Sequence, residues 1–365
     1  MKKFGALPSQ MLREMMEGGF IKNAVSDGVN PGSLDLALSE EVYRVEGVFL
    51  PEPGETVREL LGKITRTPHE YAKPLERDVT YLARLKEIFA LPAEVYGYCN
   101  PKSSTGRNDV HVRVLTDGVS RYDVVPAGYR GEAWLVINPK SFSIVVAPGE
   151  RLVQVRLFNG DTRFNELELE MTMQKEPLLF DTHGVPIGYD RLKIKDGDGS
   201  IILRLDTEIH PVGYACFGSD RVLDFSKKDF YAPRDFFNEV KKEHEYVRLK
   251  KGVFYILSSR EAVRVPPYLA CEMRPMDERS GEFRSHYAGF IDPGWGYGKD
   301  GEGKGRPLTL EVRPFEDIIV RPRQVIAKIR FERMMDVPDM LYDAAGKSNY
   351  VAQSKAKLSK HFVSE

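Results

Sequence analysis

The chain has 365 residues, 42% of them hydrophobic and 29% charged, with 53 Lys plus Arg against 54 Asp plus Glu. This composition excludes disordered and fibrous classes and is ample for one large core or two smaller ones. The net charge of −1 excludes bulk attraction to nucleic acid or to an anionic membrane, so any phosphate binding has to be local.

The first segment, MKKFGALPSQMLREMMEGGF, starts basic but has no continuous apolar stretch, and no apolar run anywhere reaches the roughly 18 residues that span a bilayer. A helix is predicted from Ser9 to Gly18, with Ser9 as its capping residue and Met11, Leu12, Met15 and Met16 at helical spacing. Val57 to Ile64 and Asp235 to His244 carry weaker signals for short helices. Elsewhere 31 glycines and 23 prolines punctuate short runs of Val, Ile, Leu, Tyr and Phe, which predicts many brief strands and a mainly β protein. Cys99, Cys216 and Cys271 lie far apart, without C-x-x-C spacing. They fit a reducing compartment, with neither a disulfide framework nor a structural zinc cluster, and the cytoplasm is the expected location.

Two segments about 174 residues apart share turn prolines and strand pattern. LPAEVYGYCNP (91–101) aligns with VPPYLACEMRP (265–275), pairing Pro92 with Pro266 and Pro101 with Pro275. IVVAPGERLVQVRLF (144–158) aligns with IIVRPRQVIAKIRF (318–331), pairing Pro148 with Pro322. A duplicated β-rich unit is expected, over residues 1–180 and 226–365. The polar, Gly-rich stretch within 181–225 is then a linker or a small extra sheet.

Residues 101–112, PKSSTGRNDVHV, pack hydroxyls and the cations of Lys102 and Arg107 around Gly106. That is phosphate-binding chemistry, although a solvated Ser/Thr turn has the same composition. In the second unit AGFIDPGWGYG (288–298) puts Asp292 in a Pro-Gly turn, and LTLEVRP (308–314) follows. Strand alternation puts Thr309 and Glu311 on one face, which by pattern alone is the solvent side.

Together NPKSSTGR, IDPGW followed by LTLE, and the N-terminal PGSLDLAL (31–38) resemble the dCTP deaminases of the trimeric dUTPase-like superfamily, most closely their longer two-domain form. The resemblance implies two distorted β-barrel or jelly-roll units in tandem, with a few short helices. It implies zinc-independent attack of water on C4 of the cytosine of dCTP, giving dUTP and ammonia for pyrimidine deoxynucleotide synthesis. It casts Glu311 as general base and proton shuttle. Ser103, Ser104 and Arg107, with Lys102 beside them, hold phosphates and help position water and base, and Asp292 contacts the sugar. Tyr342, Tyr350 and Gln353 match a C-terminal tail that closes over the triphosphate. Asn349 stands where a lysine is usual, with Lys347 or Lys355 as replacements. Mg²⁺ is expected only as the counter-ion of the nucleotide. The zinc-deaminase signature H-x-E with P-C-x-x-C is absent from the sequence. In some of the family dTTP is a feedback ligand, and single-unit relatives are trimers, so a homo-oligomer is among the expected assemblies.

Each unit keeps half of this site. The first reads Leu135-Val136-Ile137 where the second has Glu311, and the second carries Asp277 and Glu278 opposite Ser103 and Ser104. Two carboxylates repel a triphosphate, so the expected site is a composite of first-unit donors with Glu311, Asp292 and the tail. Competing readings are a dUTP diphosphatase, a bifunctional enzyme forming dUMP, and a nucleotide-binding regulator without catalysis. His111 and His286 lie near the motifs with no role assigned.

Overall fold

The computed structural model describes residues 3–192, 195–276, 280–285, 289–344 and 355–363. The alternating runs rich in β-branched and aromatic residues form four main sheets, and these fall into two sets of identical strand order. In the first set a larger sheet runs Arg66–Pro68, Leu38–Val45, Tyr81–Ala90, Arg130–Pro139, Val110–Thr116, with Ile21–Lys22 added beside Tyr81–Ala90. A smaller sheet runs Leu34–Leu36, Val153–Phe158, Tyr96–Pro101, Val124–Val125.

The second set repeats this in order. Its larger sheet runs Asn238–Val240, Gly213–Cys216, Phe254–Val263, Arg306–Pro314, Phe283–Ser285, with Leu179–Phe180 beside Phe254–Val263. Its smaller sheet runs Ser200–Arg204, Val325–Arg333, Leu269–Arg274, Phe290–Ile291. The fold is mainly β and duplicated. Each sheet pair closes on its own apolar core, one around Leu34, Val155 and Ile137 and the other around Leu203, Ile329 and Leu310.

The stretch 181–225 forms no sheet of its own among the described residues. Ser200–Arg204 and Gly213–Cys216 join the second pair of sheets, whereas Val222–Asp224 crosses over to pair with Ser143–Val145. Phe225, Phe236 and Phe237 follow it into the first core, and so do Ala356, Leu358 and Phe362 from the C-terminal segment.

The helices differ from expectation in three places. The first spans Ser9–Glu17, but Pro8 holds the capping position and Ser9 turns its hydroxyl to the Asp339 carboxylate instead. Val57–Leu61 is a helix with a complete capping box between Thr56 and Glu59. The helix expected at 235–244 does not form: a single 3-10 turn at Pro233–Asp235 leads into strand Asn238–Val240. Adjacent Phe236 and Phe237 both bury, a spacing that no single helix face supplies. A helix at Glu166–Lys175 went unpredicted, although Asn165 and Glu168 form its capping box and their N-x-x-E spacing is visible in the sequence. None of the described helices is long and apolar enough to cross a membrane.

Candidate active site

The first half of the site is a turn that follows strand Tyr96–Pro101. Ser103–Gly106 make one helical turn, and side chains pin it from both sides: Thr105 Oγ1 donates to the Leu152 carbonyl at 2.8 Å and Asn108 Nδ2 to the Ser104 carbonyl at 2.8 Å. Lys102 precedes the turn and pairs with the buried Asp35 carboxylate, which also accepts from Asn30 Nδ2 at 2.9 Å. Arg107 is buried at the end of the turn and donates from Nη1 to the Lys357 carbonyl at 2.9 Å.

The second half comes from two elements of the other unit. Strand Phe290–Ile291 runs into the Asp292-Pro293-Gly294-Trp295 turn, closed by Trp295 N–H donating to the Asp292 carbonyl at 3.2 Å. Gly294 is required there, because its φ is +90° and an added Cβ would lie 2.9 Å from the Tyr342 nitrogen. That close approach lets Tyr342 N–H donate to the Pro293 carbonyl at 2.9 Å and sets its ring 5.0 Å from Trp295. The other element is strand Arg306–Pro314. Thr309 and Glu311 share a face as the alternation predicts, but that face is covered: they are 7% and 2% exposed. The solvent-side reading of this strand is therefore wrong: the face lines a cavity, and Lys357 N–H of the C-terminal segment donates to Thr309 Oγ1 at 3.5 Å.

One cavity brings these halves together within a single chain. Lys102, Ser103, Ser104 and Arg107 line it from the first unit, and Asp292, Glu311 and Tyr342 from the second. Tyr350, Gln353 and Lys347 lie outside the described residues, as do Asp277, Glu278 and His286. Lys355 is described, exposed, and does not line the cavity. His111 is half-buried, 4.0 Å from Asp109, and also does not line it.

Sequence reasoning missed several lining groups. Asn30, Asp35 and Gln154 add polar wall, Met273, Phe290 and Met340 add apolar wall, and Lys360 adds a third cation. Asp35 sits inside the quoted PGSLDLAL segment, so its position was visible but its role was not. Behind Phe290 the fully buried Arg156 guanidinium stacks at 4.3 Å from the ring centre and donates to Glu332 at 2.9 Å.

The electrostatics are divided by unit. The cations converge from the first unit, where Asp35 is paired with Lys102, and from the C-terminal segment, and the carboxylates Asp292 and Glu311 come from the second unit. Burial pushes the Asp292 carboxyl up from its ordinary range; Arg156 opposes this and the Asp35 charge adds to it. Its Oδ1 is buried and has no hydrogen-bond partner among the described residues. A cavity with cations, hydroxyls, an apolar wall and a buried carboxylate can hold an anionic group at one place while a carboxylate moves protons at another.

At the equivalent position of the repeat the first unit has apolar packing instead. Leu82 pairs with Val136 in the register in which Ile256 pairs with Glu311, and Arg84 pairs with Trp134 as Ser258 does with Thr309. Trp134 and Val136 are buried under Val57 and Leu61 of the short helix, with Arg58 5.2 Å over the Trp134 ring.

Comparison with known proteins agrees with this duplicated arrangement. The family model for the N-terminal domain of 2′-deoxycytidine 5′-triphosphate deaminase matches residues 3–161, and that for its C-terminal domain matches residues 167–362. A search of curated proteins returns no match. Among solved structures, the crystal structure of 2′-deoxycytidine 5′-triphosphate deaminase from Agrobacterium tumefaciens is similar, with TM-score 0.82 and 35% identity over 92% of this chain and 100% of that one. The chain belongs to the 2′-deoxycytidine 5′-triphosphate deaminase family.

Proposed function

We propose that this chain hydrolyses dCTP to dUTP and ammonia, for pyrimidine deoxynucleotide synthesis, in a site completed by both units of one chain. The observation that carries this reading is the single cavity lined by Ser103, Ser104 and Arg107 on one side and Glu311 on the other. It is supported by the register equivalence of Glu311 with Val136, since only one of the two units has a carboxylate at that position.

In this mechanism Glu311 takes a proton from water as the water oxygen bonds to C4 of the cytosine. The same proton passes to N3, giving a tetrahedral adduct. The hydroxyl proton of the adduct then moves by way of Glu311 to the exocyclic amine. The C4–N bond breaks, ammonia leaves, and the C4 carbonyl of uracil remains. General acid–base help of this kind is typically worth about 10²–10⁴ in rate. Ser103 and Arg107 orient the water and the adjoining phosphates. Lys102 and Ser104 add phosphate donors, Asp292 the sugar contact, and Tyr342, Tyr350 and Gln353 the closing tail. Mg²⁺ enters with the triphosphate as part of the substrate.

The test is ammonia release with nucleotide product analysis, offering dCTP, CTP, dCMP and dUTP with Mg²⁺ to wild type and Glu311→Gln. Ammonia and dUTP from dCTP, reduced by at least about 10²-fold in the variant, is the expected result. Hydrolysis of dUTP without ammonia gives the diphosphatase reading instead. Pyrophosphate released from dCTP alongside ammonia gives the bifunctional one, and nucleotide binding without turnover gives the regulator.

A further inference from the structure

Lys360 is the one lining cation that none of the motifs contains. It belongs to the segment 355–363, which is clamped at almost every residue. The Lys357 carbonyl accepts from Arg107, Ser359 Oγ donates to Asn108 Oδ1 at 2.8 Å, and the Lys360 carbonyl accepts from Asp229 N–H at 3.0 Å. The His361 ring bonds the Lys227 carbonyl at 2.7 Å, and Phe362 packs against Phe236 and Phe237. With the backbone fixed on both sides, the Lys360 side chain is left half-buried in the cavity wall beside Lys102.

Among the described residues the Lys360 ammonium has no ion-pair or hydrogen-bond partner, in contrast to Lys102, which is neutralised by Asp35. Burial holds its pKa below the ordinary lysine value; Lys102 and Lys228 nearby push the same way, and Glu150 and Asp35 push against. A half-buried cation crowded by two others is stabilised by an arriving anion, and most by one of high charge.

We propose that Lys360 is a phosphate-binding residue of the nucleotide site, carried there by the C-terminal segment and favouring a triphosphate over a monophosphate. This rests on the nucleotide reading of the cavity, and the experiment separates the two. The affinity of inorganic tripolyphosphate and of dCMP is measured by calorimetry for wild type, Lys360→Gln and Lys360→Arg, beside steady-state kinetics with dCTP and thermal melts. In Lys360→Gln the tripolyphosphate Kd and the dCTP KM are expected to rise about tenfold, while dCMP affinity and kcat stay within about threefold. Lys360→Arg keeps the charge and stays within about threefold of wild type throughout.

Three results overturn the proposal: wild-type protein that does not bind tripolyphosphate, a Lys360→Gln Kd equal to the wild-type value, or equal losses for tripolyphosphate and dCMP. The last would mark a structural role. If wild type releases no ammonia from dCTP, the deaminase reading falls, and the tripolyphosphate affinities still decide the role of Lys360.

Discussion

Glu87 and Glu261 occupy the same position of the repeat, inside the strand irregularities between Arg84 and Ile88 and between Ser258 and Ala262. Both are buried and both accept from a backbone N–H, Glu87 from that of Ala37 at 3.0 Å and Glu261 from that of Arg204 at 2.8 Å. Their charge environments differ. Glu261 also accepts from Arg204 Nε at 2.5 Å, whereas burial pushes Glu87 up from 4.5 to about 7, with the Ala37 N–H, Arg151 and Lys86 only partly opposing it. The same substitution therefore acts in opposite directions in the two units.

For Glu87 the sign follows from proton counting. Between about pH 4.5 and 7 the folded protein keeps a proton that the unfolded chain has released, so stability falls as pH rises through that window. Above it, holding the carboxylate costs up to about 3 kcal/mol. Glu87→Gln removes that cost while its amide oxygen still accepts from Ala37. The variant is expected to match wild type near pH 4 and to exceed it by up to about 3 kcal/mol at pH 8. Glu261→Gln replaces a charge-assisted bond to Arg204 with a neutral one and is expected to lose about 1–3 kcal/mol at pH 8. Urea denaturation from pH 4 to 9 measures both. Equal effects of the two substitutions, or an unchanged pH dependence in Glu87→Gln, would refute the reasoning.

Two further substitutions separate stability from the site. Trp134→Ala removes a fully buried ring and the stacking of Arg58, and is expected to cost about 3–5 kcal/mol in urea denaturation while kcat/KM for dCTP stays within about twofold of wild type. Phe362→Ala releases the segment that carries Lys360; its ring lies 5.4 Å from both Phe236 and Phe237. Limited proteolysis should then cut within the last dozen or so residues, and the dCTP KM should rise at least as much as in Lys360→Gln.

The duplicated topology was legible because paired turn prolines and strand runs are local properties that survive divergence. The asymmetry of the two units was legible too, since the alignment sets Leu135-Val136-Ile137 against Glu311, and the strand register then singles out Val136. What could not be read was burial. Alternation puts Thr309 and Glu311 on one face but says nothing of what lies over it: a cavity shared with residues 102–107, some 200 positions away, and the C-terminal segment at Lys357. The place of Lys360 could not be read for the same reason: it depends on the segment wrapping back over the first unit. The helix expected at 235–244 failed because long-range burial of Phe236 and Phe237 overrides local preference. By contrast, a pair of glutamates at the repeat offset, Glu87 and Glu261, was present in the sequence and passed unremarked.

The two units differ most in what they do with one insert. In each, the chain leaves the second strand of the larger sheet and returns along an edge strand, from Leu38–Val45 to Arg66–Pro68 and from Gly213–Cys216 to Asn238–Val240. The first insert folds back on its own sheet and seals Trp134 and Val136 beneath Val57 and Leu61. The second insert crosses to the first unit, where Val222–Asp224 pairs with Ser143–Val145, and Phe225, Phe236 and Phe237 enter a core that also takes in Phe254 and Ile256 of the insert's own sheet. Thr309 and Glu311 line one cavity with the first unit's Ser103 and Arg107. The same crossing insert gives the C-terminal segment its anchor, through Tyr231 beside Phe362 and the Asp229 N–H on Lys360. One topological position thus has two outcomes: in the unit without the carboxylate the insert seals the face of Val136 and Trp134, and in the unit with Glu311 it bridges to the other unit instead.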